Sequence, residues 1–175
     1  MERATTKYLT GFQTDVGNDE NFALLNEFFI AFSRFEFTLK ISGYLKDNVK
    51  IEAHPDWLKF GLKKKETFDD YIDSLETDDE LKTAIEYILI NPPKKQFVGD
   101  DNMLMFALVP DENPSNTQKL CTYITRIRNN LFHGAKFLKS YGDSSRDWKL
   151  ISCALLVLSC WIDDDQNFKS WYFDG

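Results

Sequence analysis

Arg126-Ile127-Arg128-Asn129-Asn130-Leu131-Phe132-His133-Gly134 is the stretch from which the rest of the chain is read. It packs two arginines, two asparagines and one of the chain's two histidines into about two turns, if it is helical. The flanking pattern says that it is. Asn113-Pro114-Ser115-Asn116 is a helix start, and Leu120, Tyr123/Ile124, Ile127, Leu131, Gly134 and Leu138 recur at helical spacing. A helix is therefore expected from Thr117 to about Lys139. On a wheel of about 100° per residue, the apolar stripe clusters around Ile127, and Arg128, Phe132, Asn129, His133, Arg126 and Asn130 lie off it. Phe132 has little use on a solvated face. Its place among arginines and amides has the composition of a subunit interface with a polar cleft.

Outward from this helix, the periodicity gives others. Phe22, Leu25, Phe28/Phe29, Phe32, Phe35/Phe37, Leu39 and Ile41 predict a long aromatic-rich helix from Glu20 to about Lys46. Glu36 sits among these rings, either solvated or paired with a buried arginine. His54-Pro55-Asp56-Trp57 reads as a turn, with His54 a turn residue. Lys63-Lys64-Lys65 reads as a solvated basic face. Thr67 to Ile90 is a second helical region, broken by a cap at Thr77-Asp78-Asp79-Glu80 and stopped by Asn91-Pro92-Pro93. Residues 92–115 read as an irregular insertion. Its apolar run, Met103 to Val109, is expected to be a packed extended or short helical segment, because a single strand has no obvious partner. Arg146 to Asp163 is apolar on two sides, which makes it central or shared with a second chain. The tail 164–175 mixes acids and aromatics and reads as a strap or an interaction segment.

The expected fold is therefore all-α: an antiparallel bundle of four to five helices with one insertion. It forms a single domain over 1–175, with its core at about 20–163. The 15 phenylalanines among 175 residues call for a large core, a large interface, or both. A net charge of −7 argues against a broad, sequence-independent nucleic-acid binder but allows a small local basic cleft. Cys153 and Cys160 are seven apart on one helix, about 10 Å, too far for a disulfide. With Cys121 they show no zinc-ligand spacing, so neither metal nor cofactor is expected. Met1-Glu2-Arg3 runs into polar residues without a signal-peptide pattern, and no apolar run is long enough to span a bilayer. A cytoplasmic location and no membrane partner are expected.

Asn129 and His133 are four apart and Arg126 and His133 seven apart, so each pair stacks along the helix. A twofold axis near this helix would gather two histidines and up to four arginines in one groove. Such a groove suits RNA transesterification. Histidine moves protons near neutral pH, and arginine stabilises the pentavalent phosphate.

Arg128-Asn129-Asn130-Leu131-Phe132-His133-Gly134 resembles the RxxxxH signature of HEPN domains. The specific match is seven residues; the helical plan extends the resemblance over about 20–163. The resemblance implies a dimeric helical bundle acting as a metal-independent endoribonuclease of a toxin–antitoxin or phage-defence system, with RNA as substrate and an antitoxin or regulatory protein as a further partner. It implies Arg128, His133 and Asn129 as catalytic residues. Arg126 and Asn130 are supporting residues, Phe132 an interface residue, and Glu36 the first-helix carboxylate that supports the arginine. Arg126, six residues from His133, also satisfies the family's spacing, so the two arginines stand as alternatives. Family members that are silenced by AMP transfer carry a tyrosine two residues after the histidine. Ala135 stands there, so that regulation is not expected. Two other readings accompany this one. The first is a non-catalytic HEPN-like module that dimerises and binds RNA, nucleotide or protein. The second is an unrelated helical interaction protein.

Overall fold

Leu25, Phe28, Phe32, Phe35 and Leu39 follow one another at spacings of three and four, and all five are fully buried. They are the inner stripe of the first helix. The computed structural model describes residues 19–47, 52–100, 102–132 and 144–174. Over these the chain is mostly helical: α1 (Asp19–Ile41), α2 (Trp57–Ser74), α3 (Glu80–Ile90), α4 (Asn116–Phe132), α5 (Ser144–Asp163) and α6 (Gln166–Asp174). A two-stranded antiparallel sheet, β1 (Lys95–Val98) and β2 (Leu104–Ala107), lies between α3 and α4.

α1 stops short of the expected Lys46. Gly43 takes a φ of 84°, its N–H donates to the Lys40 carbonyl at 3.2 Å, and the Tyr44 N–H donates to the Leu39 carbonyl at 2.9 Å. This is a Schellman end, and it explains why a glycine sits there. The chain then returns through a bridge between Leu45 and Pro55 to Asp56. The Asp56 carboxylate accepts the Lys59 N–H at 2.9 Å and caps α2.

α2 therefore begins ten residues before the expected Thr67. Its buried side carries Trp57, Phe60, Gly61, Phe68 and Ile72. Gly61 belongs to this stripe because α4 crosses close by. A Cβ there would meet Cys121 Sγ at 3.0 Å and the Gln118 Cα at 3.4 Å. Of the lysine run, Lys63 is exposed, but Lys64 is half-buried and its ammonium donates to Asp164 at 2.6 Å. The expected break before α3 is present, with the Asp79 carboxylate accepting the Leu81 N–H at 2.8 Å. α3 ends at Ile90, ahead of the two prolines.

The expectation for 103–109 needs correction. The run does find a strand partner, Lys95–Val98, in the register Lys95↔Ala107 to Val98↔Leu104. Asn102, at φ 56°, helps close the turn. No described residue of the hairpin is buried, so no inside–outside alternation marks either strand.

α5 packs against α1, α3, α4 and α6, which accounts for its two apolar sides within one chain. Leu150, Ile151, Ala154, Val157, Leu158, Trp161 and Ile162 are buried on it, while Ser152 and Ser159 are exposed. The tail, read as a strap or an interaction segment, is helical over Gln166–Asp174. Asp165 accepts the Asn167 and Phe168 N–H groups, and Phe168 enters the core. There the Phe35 ring lies 5.0 Å from Trp57, 5.5 Å from Phe60, 5.9 Å from Trp161 and 5.0 Å from Phe168, centroid to centroid. Four helices thus meet on one ring, and the phenylalanine-rich composition has a core to fill. Cys121, Cys153 and Cys160 are free thiols. Among the described residues no helix is long and apolar enough to cross a membrane.

Candidate functional site

The site grows from the aromatic core. Phe32 and Trp57 stack with centroids 5.2 Å apart. Glu36 follows Phe32 by one helical turn, which brings its carboxylate to the edge of this pair. The Trp57 Nε1–H donates to Glu36 Oε1 at 3.1 Å. From α4, Arg128 Nη2 donates to Oε1 at 3.2 Å and to Oε2 at 3.4 Å. The Arg128 guanidinium carbon lies 5.1 Å from the centre of the Phe32 ring. The side chains of Arg128 and Glu36 retain 27% and 20% of their exposure, so the pair is screened from most of the solvent but not sealed. A carboxylate with two donors and an aromatic floor fixes the direction of a long, otherwise mobile arginine.

Two other polar residues of the motif, Arg126 and Asn130, turn elsewhere. Arg126 Nη1 donates to the Val109 carbonyl at 2.6 Å, and its guanidinium carbon lies 5.4 Å from the Tyr123 ring centre. Asn130 Nδ2 donates to the Lys94 carbonyl at 2.9 Å, and its Oδ1 accepts from Gln96 Nε2 at 3.0 Å. Arg126 and Asn130 are four apart, so one line of α4 clasps both ends of the hairpin: the entry to β1 and the exit from β2. The Tyr123 hydroxyl accepts the Asp111 N–H at 2.9 Å and continues the clasp. Burial alone would raise the Asp111 carboxyl. Hydrogen bonds from Thr122 and Asn113, with the Arg126 charge, outweigh it and hold the group below its ordinary range. Lys46, Trp57, Leu58, Thr125 and Arg126 also line an open cavity of about 270 Å³ between the start of α2 and α4.

The motif helix therefore does not present one open polar face. Arg126, Arg128, Asn129 and Asn130 are all half-buried, and three of the four are bonded to other parts of their own chain. The two arginines, equivalent in spacing, are separated by their partners. Arg128 is held on a carboxylate and a ring, and Arg126 on a backbone carbonyl and a different ring. The Phe132 side chain, His133 and Gly134 lie outside the described residues. His54 is exposed, with Nε2 3.1 Å from Glu52 Oε2.

Trp57 is the participant that the sequence reading missed. Taken as part of a turn, it is the first residue of α2 and the second donor to Glu36. The clasp residues Lys94, Gln96 and Val109 were also missed; two of the three act through backbone carbonyls, which leave no mark on residue type. Among the described residues no group of three His, Cys, Asp or Glu side chains is placed to hold a metal ion. Compared with protein-family models, with curated proteins and with solved structures, the chain has no significant match in any of the three.

Proposed function

We propose that the chain is a HEPN-type endoribonuclease, an antiparallel helical bundle that works as a cytoplasmic homodimer in a toxin–antitoxin or phage-defence system. The observation that carries this reading is the Glu36–Arg128 pair on its aromatic floor. It gives the arginine of the RNNLFHG motif a fixed support from the first helix, in a chain whose net charge is −7.

The reaction is an in-line transesterification. The RNA 2′-oxygen bonds to phosphorus as its proton leaves, the P–O5′ bond breaks, and the leaving oxygen is protonated. The products are a 2′,3′-cyclic phosphate and a 5′-hydroxyl. His133 of one subunit takes the first proton and its twin in the other subunit supplies the second, so the composite groove needs only one histidine per chain. Arg128 neutralises charge on the pentavalent phosphate, and Asn129 positions the phosphate or the imidazole. Arg126 and Asn130 support the groove by holding the hairpin against α4.

The alternative is a non-catalytic HEPN-like module. The observation that favours it is also at Arg128: its charge already has a carboxylate partner. Incubation with single-stranded RNA and tRNA, with and without EDTA, separates the two. The enzyme reading expects cleavage that survives EDTA, leaves 5′-hydroxyl ends, and falls by about 10²–10⁴ in His133→Ala. Cleavage that EDTA abolishes, or that His133→Ala leaves undiminished, contradicts it. RNA binding without cleavage selects the module.

A further inference from the structure

Trp57 stands where two systems meet. Its ring belongs to the core: it is 7% exposed and stacks 5.2 Å from Phe32 and 5.0 Å from Phe35, centroid to centroid. Its nitrogen belongs to the site, since Nε1–H donates to Glu36 Oε1 at 3.1 Å. The backbone also sets the direction of the ring. Trp57 is the first residue of α2, and Asp56 before it donates its N–H to the Tyr44 carbonyl at 2.8 Å while its carboxylate caps the Lys59 N–H. The Tyr44 N–H in turn closes the end of α1, the helix that carries Glu36. The two partners of the Trp57–Glu36 bond are thus tied to each other through the α1–α2 connection as well as through the core.

The contacts on the carboxylate differ in kind. Arg128 Nη2 reaches its two oxygens at 3.2 and 3.4 Å from the end of a long, rotatable side chain. Trp57 reaches Oε1 from a ring whose torsions are locked by stacking on both neighbours. A glutamate held by an arginine alone can turn together with it; one held by this indole cannot. Packing by itself does not account for the nitrogen. Trp161, in the same aromatic cluster, keeps its Nε1 buried with no hydrogen-bond partner among the described residues. This core accepts an indole for its apolar area, and at position 57 the N–H has a polar task besides.

We propose that Trp57 is a positioning residue of the ribonuclease site: its N–H fixes the Glu36 carboxylate, and the carboxylate fixes Arg128 at the scissile phosphate. The proposal rests on the ribonuclease reading, and Trp57 acts through Arg128 and not on the RNA.

The test replaces Trp57 in the full chain by benzothienylalanine, which keeps the bicyclic shape and removes only the N–H. Trp57→Phe, which also lacks the N–H, is the second variant should the first not fold. The isostere should melt within about 4 °C of the wild type, because one hydrogen bond is lost. For RNA cleavage in EDTA, kcat should fall by about ten- to a hundredfold with KM within about twofold, since a misplaced arginine is felt in the transition state. In an Arg128→Ala background the same replacement should change kcat by less than about twofold. A residue that only stabilises the fold would act equally in both backgrounds. Side-chain NMR relaxation of Arg128, which needs no RNA, should show a lower order parameter in the isostere. An unchanged Arg128 order parameter, an unchanged kcat, or an equal loss in the Arg128→Ala background overturns the proposal. If the wild type cleaves no RNA, the ribonuclease reading is what fails, and the relaxation alone decides whether Trp57 fixes Arg128.

Discussion

Two sides of α4 carry the same kinds of side chain and use them differently. On one side Arg128 lies over Phe32 and reaches Glu36, which Trp57 also holds, and those rings continue through Phe35 to Phe60, Trp161 and Phe168. On the other, Arg126 and Asn130 bind carbonyls at the two ends of a hairpin whose described residues are all at least partly exposed. The first side is joined to the global core. The second is a local fastening. Residue type does not decide between these roles, since both arginines belong to one motif two positions apart. What decides is the element that folds against each: an aromatic helix in one case, a short ribbon in the other.

The contrast can be broken from its aromatic side first. Phe35→Ala removes a ring that touches four others and should cost about 3–5 kcal/mol in denaturant unfolding. A loss below about 1 kcal/mol would mean that this core is not the shared support described above.

Next comes the pair itself. Glu36→Gln keeps the shape but removes the carboxylate charge beside Arg128. It should cost about 1–3 kcal/mol, with a coupling of about 1 kcal/mol in a double-mutant cycle with Arg128→Met. Additive effects would show that the pair is not an energetic unit.

On the hairpin side the effects should be smaller and local. Arg126→Ala loses one hydrogen bond, worth about 1 kcal/mol, so amides of 95–107 should exchange roughly fivefold faster while the core helices hardly change. Uniform acceleration across all helices would contradict the division.

Smallest is the effect of acid at Asp111. Its carboxyl titrates lower in the fold than its ordinary 3.8. Its contribution is therefore complete above that pH and is lost as the pH falls through the lower folded value. Below pH 3.8 the amide signals of 109–113 should shift before those of α5 in a titration followed by NMR. Asp111→Asn should abolish that early step.

Much of this was legible in the residues. The spacing of Leu25, Phe28, Phe32, Phe35 and Leu39 identifies α1, Asp79 marks the start of α3, and Pro92-Pro93 marks its end. Glu36 could be read as solvated or paired with an arginine, and the structure pairs it with Arg128. Other features were hidden by identifiable causes. The first half of α2 looked like a break because Gly61 and three lysines interrupt its stripe. Yet the glycine is there to admit Cys121, and Lys64 reaches Asp164. The hairpin was missed because both its faces are exposed, which erases the alternation that identifies a half-buried strand. The separate fates of Arg126 and Arg128 were beyond any wheel, which ranks residues by angle and is blind to partners from elsewhere in the chain.

The central claim is that Arg128 serves the phosphate while Arg126 fastens the hairpin. The most direct test is the rate of RNA cleavage in EDTA for Arg128→Ala and Arg126→Ala side by side, with folding checked for both. Loss of about 10²–10³ in Arg128→Ala, with Arg126→Ala within about tenfold of the wild type, is the predicted result. The reverse order, or equal loss in both, would contradict it.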